Sequence, residues 1–232
     1  MSTDTKLSEI ESAGFGNANG ISTFLARNLE NGLTELSVEQ KQAIIVEAAS
    51  HFGRFLEALG CDWKNDPNSS NTPMRVAKAY VHDLWRGRFS PLGAITAFPA
   101  DGYDGLVQES GIPITSMCSH HHQTIKGFAN IGYIASPDGK VVGLSKLNRI
   151  VEHFCRRGAI QEQLTIAIHN AVDKICTGNL GVAVMITATH NCVSCRGVKH
   201  DGASTQTAKL SGKFKECDST RSEFYHNVKL RL

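Results

Sequence analysis

The stretch SMCSHHHQTI, Ser116–Ile125, places a cysteine three residues before the middle of three consecutive histidines. The gap between Cys118 and His121 matches the short chelating loops of zinc sites. On a regular strand these two side chains would face opposite sides, so a shared ion requires a local turn or bulge. One such pair cannot complete a metal site. The remaining ligands must come from another part of the chain.

A second cluster, THNCVSCRG, offers His190, Cys192 and Cys195. Thiolate together with imidazole favours zinc over magnesium or calcium. If Cys118, His121, Cys192 and Cys195 all bind, the coordination sphere is closed and zinc only joins two segments. The second alternative is that no metal binds, so that Cys118 and Cys192 form a disulfide or the histidines simply lie on the surface.

The third alternative is an open site with three protein ligands. A water in the fourth position then has a pKa near roughly 7 and becomes a nucleophile at neutral pH. His120 and His190 are next to or near the candidate ligands in sequence and are available to move protons. Spacing alone leaves the three alternatives open.

Composition limits the class of protein. With 232 residues, 41% of them hydrophobic, the chain can form an ordinary buried core. A net charge of +2 does not indicate a nucleic-acid partner, so anion binding would depend on locally placed Arg and Lys. We expect no membrane span, and the seven irregularly spaced cysteines favour reduced thiols and a cytoplasmic location.

The N-terminal half is predicted to be helical after a flexible arm, residues 1–36. Ser37 begins a capping-box spacing, and apolar residues then recur at helical intervals until Gly60. A second helix is expected in TPMRVAKAYV, with Thr72 as its cap and Pro73 at its first position. Arg75 and Lys78 share a face of this helix, which alone indicates only a solvated surface.

The C-terminal part predicts an α+β domain. Alternation begins at Ile112, and GFANIGYIASPDGKVVGLS is typical of a hairpin turning at SPDG. Two helical segments follow, LSKLNRIVEHFCRR and AIQEQLTIAIHNAVDKIC. GVAVMITATHNCV and ASTQTAKLSGKF then suggest two paired strands, and TRSEFYHNV a terminal helix. This order predicts an antiparallel sheet with helices on one face.

Three segments together resemble the GTP cyclohydrolase I family: SMCSHHHQTIKGFANIGYI, GLSKLNRIVEHFCRRGAIQEQLT and ATHNCVSCRG. The family patterns are approximately C-E-H-H, G-L-S-K-x-x-R-I-V, V-Q-E-R-L-T and H-x-C-x-x-x-R-G. TPMRVAKAYV and STRSEFYHNV are also similar to the family. The resemblance covers about residues 40–232.

The resemblance implies the tunnelling fold, in which a four-stranded antiparallel sheet carries two helices and subunits join their sheets into a barrel. It implies one domain over 37–232, with a helical part at 37–90 and a tunnelling-fold core at 110–232. It further implies a homo-oligomer, typically a toroidal decamer with active sites between subunits. The implied reaction opens the imidazole ring of GTP at C8, releases formate and yields 7,8-dihydroneopterin triphosphate.

Residue roles follow from the same resemblance. The implied Zn²⁺ ligands are Cys118, His121 and Cys192, which corresponds to the open site. The implied catalytic residues are His120, His190, Ser145 and Lys146, with His190 as the acid at purine N7. The implied substrate-binding residues are Gln161 and Glu162 at the guanine edge, and Arg75, Lys78, Arg149 and Arg196 at the phosphates.

The sequence departs from the family pattern close to the implied metal. Ser119 stands where the family usually has Glu, which removes a negative charge and a possible partner for a histidine N–H. His122 and Gln123 are unusual, Cys195 is not a required cysteine, and Gln163 replaces the common Arg. A divergent purine enzyme of the same fold and a non-catalytic nucleotide-binding paralogue are therefore the alternative functions.

Overall fold

A computed structural model describes residues 25–31 and 33–230 of the chain. The elements in chain order are α1 (Val38–Ala58), α2 (Thr72–Ala79), a π-helical turn (Tyr80–Leu84), α3 (Arg86–Phe89), β1 (Ala97–Pro99), β2 (Leu106–Met117), β3 (Thr124–Ile134), β4 (Lys140–Val142), α4 (Leu144–Cys155), α5 (Gln161–Ile175), β5 (Gly181–His190), α6 (Asn191–Ser194), β6 (Ser204–Leu210), α7 (Lys213–Glu216) and α8 (Asp218–Lys229). This is the α+β class that the order of apolar patterns predicts.

The main sheet has four antiparallel strands in the order β2, β3, β5, β6. Its register aligns Met117 with Thr124 and Ile125 with His190. The end of β2, the start of β3 and the end of β5 therefore meet at one end of the sheet. The two sequence clusters with metal-ligating side chains both lie at this end.

The hydrophobic core lies between one face of the sheet and the helices α4 and α5. Alternate residues of β3 and β5 point into it, as the period of two in a strand requires. The helices contribute residues three or four apart, which share one helix face. The core includes Ile125, Ala129, Ile131, Tyr133, Leu147, Ile150, Val151, Leu164, Ile168, Val172, Val182, Val184, Ile186 and Ala188. The prediction that both helices lie on one face is confirmed.

The opposite face of the sheet is covered at one end by the C-terminal helices. Ala183 and Met185 of β5 pack there against Phe214, Phe224 and Val228. The terminal helix predicted from TRSEFYHNV is confirmed, and α8 extends it to 218–229. Further along the same face of β3, Phe128 remains half exposed.

The predicted hairpin around SPDG is wrong. The two expected strands exist as β3 and β4, but β4 pairs with β1 in a separate two-stranded sheet, and β3 pairs with β2 and β5. The turn at 136–139 is real: Gly139 N–H donates to Ser136 O at 2.9 Å. The turn-forming residues of SPDG correctly predicted that the chain reverses direction there. They could not predict which strands pair, because β4 pairs with β1, which lies in a distant segment.

The helical layer follows its sequence signals closely. The Ser37 side chain accepts from the Gln40 backbone N–H, and the Gln40 side chain accepts from the Ser37 N–H, which completes the predicted capping box. Pro73 lies in the first turn of α2, as predicted. The N-cap of α2 is Asn71 rather than Thr72, and it makes no side-chain capping hydrogen bond.

Two buried arginines hold the segment that precedes α1. Arg157 donates to the backbone oxygens of Leu29 and Glu30 and to the Asn31 side chain, and Arg88 donates to Ala26 O. Most of the predicted flexible arm, residues 1–24, lies outside the described residues. The division into an arm and a single domain remains a prediction.

Within 25–31 and 33–230, no helix is both long enough and apolar enough to cross a membrane.

Candidate functional site

The loop between β2 and β3, residues 118–123, forms the turn that a shared metal requires. Cys118 N–H donates to Gln123 O at 2.8 Å, and His122 N–H donates to Cys118 O at 2.9 Å. His122 has a φ of 52°, in the left-handed region that few residues other than glycine adopt. This reversal brings Cys118 and His121 to the same side of the loop. We call residues 118–123 the metal loop.

Three side chains converge beside this loop. One ligand atom each from Cys118, His121 and Cys192 lies within 4.8 Å of the other two. Cys192 is on α6, which begins directly after β5, and the pairing of Ile125 with His190 carries it to the metal loop. Cys195 is exposed, and among the residues that the structure describes it belongs to no group of three possible metal ligands.

Two sulfurs and one imidazole nitrogen form a donor set that zinc prefers. Ligands of a tetrahedral zinc site, at bond lengths of roughly 2.0–2.3 Å, are about 3.5–3.8 Å apart, and the trio lies within 4.8 Å, so an ion would draw its atoms closer together. Burial raises the pKa of the Cys192 thiol, and the neighbouring Cys118 thiol raises it further. A cation between the two sulfurs would reverse this effect because it favours the thiolates.

His190 is hydrogen-bonded to a buried glutamine. Its Nε2 lies 2.7 Å from Oε1 of Gln161, a side chain only 2% exposed. The Gln161 amide nitrogen is turned toward Ile186 O, Thr205 O and the Thr207 hydroxyl at 3.0–3.2 Å. Since these partners accept hydrogen bonds, the Gln161 oxygen must face the histidine, and His190 donates from Nε2.

Other predicted site residues lie close to this pair and to the trio. The negative charge of Glu162 raises the pKa of His190, although burial has the larger effect and lowers it. The rings of His120 and His121 meet edge to face, with centroids 6.1 Å apart. Arg196 is near enough to Cys192 for its positive charge to act against the rise in the thiol pKa.

The remaining predicted residues, all within the described part of the chain, form no hydrogen bond or ion pair with the trio. Arg75 and Lys78 are exposed on α2, and in the part of the chain described neither side chain is in a hydrogen bond or ion pair. Ser145 is exposed at the start of α4, and Lys146 Nζ lies 3.5 Å from Ala94 O. Arg149 borders a separate cleft of about 350 Å³ next to α3.

Two aromatic side chains at the metal loop were not found from the sequence. The Tyr80 hydroxyl lies 3.2 Å from His122 Nδ1, and the Trp85 ring lies 5.2 Å from the His122 ring. Burial raises the pKa of Tyr80 and lowers that of His122, so the hydrogen bond joins two groups that burial keeps neutral. No motif marked Tyr80 or Trp85, since both read as ordinary apolar positions of a helix.

The positions that depart from the family pattern occupy the site's edge. Ser119 is half-buried, and its hydroxyl forms no hydrogen bond with another described residue. Gln163 is exposed in the first turn of α5. The loss of charge at these positions therefore affects the field around the site more than its packing.

Comparison with known proteins places most of the chain in one family. The family model described as GTP cyclohydrolase I matches residues 48–229. The GTP cyclohydrolase 1 of Aeromonas salmonicida is 39% identical over 214 residues, covering 91% of this chain and 92% of that protein. The GTP cyclohydrolase 1 of Photobacterium profundum is 39% identical over 207 residues, covering 88% of this chain and 92% of that protein.

Proposed function

The chain belongs to the GTP cyclohydrolase I family, and on that premise we propose that it opens the imidazole ring of GTP at C8 with a Zn²⁺ ion held by Cys118, His121 and Cys192. It is a GTP cyclohydrolase, the enzyme of the first step of pterin and folate synthesis. The proposed products are formate and 7,8-dihydroneopterin triphosphate.

The observation that carries the proposal is the convergence of one imidazole and two sulfurs within 4.8 Å, with Cys195 outside the group. Three protein ligands are the number that catalytic zinc sites use, whereas structural sites use four. When bound, zinc supplies a Lewis acid that allows water to ionise at about neutral pH. The burial of Cys118 and the tight metal loop hold two of the ligands before the ion arrives.

His190 is the proposed proton donor to the purine at N7. Its Nε2–H is committed to Gln161 Oε1, so Nδ1 is the nitrogen that remains to exchange a proton with the substrate. The lowered pKa from burial makes the imidazolium a stronger acid, and the charge of Glu162 limits that effect. His120, whose ring meets that of His121, is the proposed second catalytic histidine.

Glu162 is the proposed reader of the guanine edge. Its carboxylate is exposed at the start of α5 and close to His190. A carboxylate can accept from both the N1–H and the exocyclic amine of guanine, whereas adenine has no N1–H to donate. The polar atoms of Gln161 already have protein partners. In this proposal Gln161 therefore supports guanine recognition indirectly, without a contact of its own to the base.

The triphosphate is proposed to bind exposed cations that have no protein partner. Arg75, Lys78 and Arg196 are exposed, and their side chains form no hydrogen bond or ion pair within the described ranges. Ser145, Lys146 and Arg149 would complete the phosphate and ribose contacts from the first turns of α4. Fixed guanidinium groups suit phosphate oxygens because they can donate two parallel hydrogen bonds. Those of these residues that lie far from the trio of their own subunit would bind the triphosphate at the active site of a neighbouring subunit.

Assembly is part of the proposal. Both edges of the four-stranded sheet, β2 and β6, have no further strand partner among the described residues, and β6 is largely exposed. Open edges of this kind can pair with another copy, which is what the tunnelling-fold barrel and the toroidal decamer require. A cytoplasmic location is proposed because all seven cysteines are free thiols.

The test is turnover of GTP by the purified protein, with formate and oxidised neopterin measured separately. The proposal expects both products, with loss of both when zinc is removed and recovery when zinc is restored. Cys118→Ser should lose both, and Cys195→Ser should retain both. Formate without pterin would indicate a divergent purine enzyme, and saturable GTP binding without either product would indicate a non-catalytic paralogue.

A further inference from the structure

A hydrogen bond of the His122 side chain joins the metal loop to the helical layer, which consists of α1, α2 and the π-helical turn. The Tyr80 hydroxyl is hydrogen-bonded to His122 Nδ1 at 3.2 Å, and the His122 ring lies against both Tyr80 and Trp85, with centroids 5.9 and 5.2 Å away. Within the described part of the chain, no other side chain of the metal loop is hydrogen-bonded to a helix of that layer. Among the described residues, His122 therefore supplies the side-chain hydrogen bond between the two parts.

A π-helical turn brings the two aromatic side chains together. In a regular α-helix, residues five apart are rotated by about 500° and point about 140° away from each other. Here Trp85 N–H donates to Tyr80 O at 2.8 Å, a hydrogen bond of the π type. As a result the Tyr80 and Trp85 rings meet edge to face at 5.2 Å and both contact His122.

The contacted residue is the one that closes the metal loop. His122 adopts the left-handed conformation, and its N–H donates to Cys118 O. A histidine in that conformation is under strain unless surrounding contacts stabilise it. Its neighbour His121 is a proposed metal ligand, so a change in the His122 backbone changes the direction in which His121 points.

The contact between Tyr80 and His122 lies at the edge of a cavity. A cavity of about 740 Å³ lies between α1, α2 and the metal loop, and its lining includes Phe52, Tyr80, Trp85, His121 and His122. Tyr80 and Trp85 both contact His122 at the edge of this cavity, so they can support the metal loop there.

We propose that Tyr80 and Trp85 are positioning residues of the metal site, which act through His122 to hold the metal loop in its ligand-binding conformation. This inference rests on the metal site of the proposed function. Some residues orient the ligands of a metal site without binding the metal themselves. Their removal commonly weakens metal affinity 10-fold or more. The hydrogen bond to His122 is the contact expected to have that effect here.

The experiment measures Co²⁺ binding to the metal-free full-length protein by thiolate-to-cobalt charge-transfer absorption, with a competing chelator to obtain the dissociation constant. The variants are Tyr80→Phe, His122→Asn and their double variant. Tyr80→Phe keeps the ring and loses only the hydroxyl. Asn tolerates the left-handed conformation but is too short to reach Tyr80. Tyr103→Phe is the matched control, because its hydroxyl donates to Leu106 O away from the site.

Each single variant is expected to weaken Co²⁺ binding roughly 10-fold. The double variant should be no weaker than His122→Asn alone, since both substitutions remove the same contact. The Tyr103→Phe protein should bind like the wild type. Circular dichroism at the assay temperature identifies any variant that has unfolded, and His122→Asn then tests the inference independently of Tyr80→Phe.

Three results would overturn the inference. Unchanged affinity in Tyr80→Phe, or additive losses in the double variant, would show that Tyr80 does not act through His122, while the proposed function would stand. Failure of the wild-type protein to show thiolate-to-cobalt bands would remove the metal site itself. In that case both the inference and the zinc-dependent part of the proposed function would fall.

Discussion

Gln161 Oε1 accepts a hydrogen bond from His190 Nε2 at 2.7 Å, which joins the first residue of α5 to the last residue of β5. The glutamine is fixed in turn by Ile186 O, Thr205 O and Thr207, from β5 and β6. The proposed acid is therefore held by a side chain anchored in the sheet. A buried amide without a charge can orient the imidazole without binding its proton.

Replacement of Gln161 by Met should lower kcat and leave KM for GTP nearly unchanged. Met is similar in size but cannot accept from His190, so we expect kcat to fall roughly 10- to 100-fold, part of the effect of a whole general acid. Loss of the buried hydrogen bonds should also reduce the free energy of unfolding by about 1–3 kcal/mol. Steady-state kinetics and urea unfolding would measure the two effects.

Gln163→Met is the matched control, because Gln163 is exposed on the same helix. It should change neither kcat nor stability appreciably. If Gln161→Met instead raises KM with kcat unchanged, the residue acts in guanine binding, as the family resemblance implies, and not in holding His190.

Removal of one sulfur ligand should abolish tight zinc binding. Cys192→Ser leaves two of the three ligands, and a neutral hydroxyl replaces a thiolate that zinc strongly prefers. We expect less than one-tenth of the wild-type zinc content after dialysis. Substitution of residues that only orient metal ligands already lowers metal affinity tenfold or more. Zinc content would be measured by atomic absorption on dialysed protein.

Cys195→Ser is the control for this substitution, since Cys195 is exposed and lies outside the trio. Its zinc content should match that of the wild type. Loss of zinc in both variants would indicate a closed site with four ligands, and the open site proposed for catalysis would then be wrong.

Most local signals in the sequence predicted the fold, although the expected cap of α2, Thr72, is wrong. The capping box at Ser37, the helical periodicity of α4 and α5, and the pairing of β5 with β6 are all confirmed. The prediction failed at β4, whose partner β1 lies some forty residues earlier, because the strand pattern of Lys140–Val142 carries no information about which distant segment it joins.

For the candidate site, residue type and spacing identified Cys118, His121, Cys192 and Cys195 as possible ligands, the resemblance selected the first three, and the structure brings those three together. Sequence alone did not indicate that Gln161 is buried, since QEQ at a helix start reads as exposed. It also did not indicate Tyr80. A π-helical turn has no sequence signature, and its effect on side-chain direction appears only in three dimensions.

Acid should destabilise the protein through His153. Burial, and then the positive charge of Arg157, lower the pKa of His153 to about 4. Between roughly pH 6.5 and 4 the unfolded chain binds a proton that the folded chain does not, so the free energy of unfolding decreases as the pH falls through this window. Because the side chain is partly exposed, we expect a loss of only about 1–2 kcal/mol.

Urea unfolding at several pH values between 7.5 and 4.5 would measure this loss. His153→Gln removes the titrating group and can still accept from Arg157, so its stability should depend less on pH over the same range. The control His226→Gln changes an exposed histidine and should keep the wild-type slope. Equal slopes in the wild type and His153→Gln would contradict the assignment.

Cys217 should be the thiol whose reactivity depends least on pH above neutrality. Hydrogen bonds from the Ser219 hydroxyl first, and then from Thr220, lower the pKa of Cys217 to about 6. Its Sγ lies 3.1 Å from Ser219 Oγ at the start of α8. Burial raises the pKa of both Cys155 and Cys176 to about 12, so neither should react in the folded protein.

The rate of iodoacetamide alkylation at Cys217, followed by mass spectrometry of its peptide, should rise by less than about twofold from pH 7 to 8.5. An ordinary thiol with a pKa near 8.5 would rise about 15-fold over that range, because the thiolate fraction controls the rate. Ser219→Ala should make the dependence steeper, whereas Ser222→Ala, an exposed serine one position beyond Arg221 on the same helix, should not. A steep dependence in the wild type would mean that Ser219 does not donate to the thiolate, and the contact at the start of α8 would then have no effect on Cys217 chemistry.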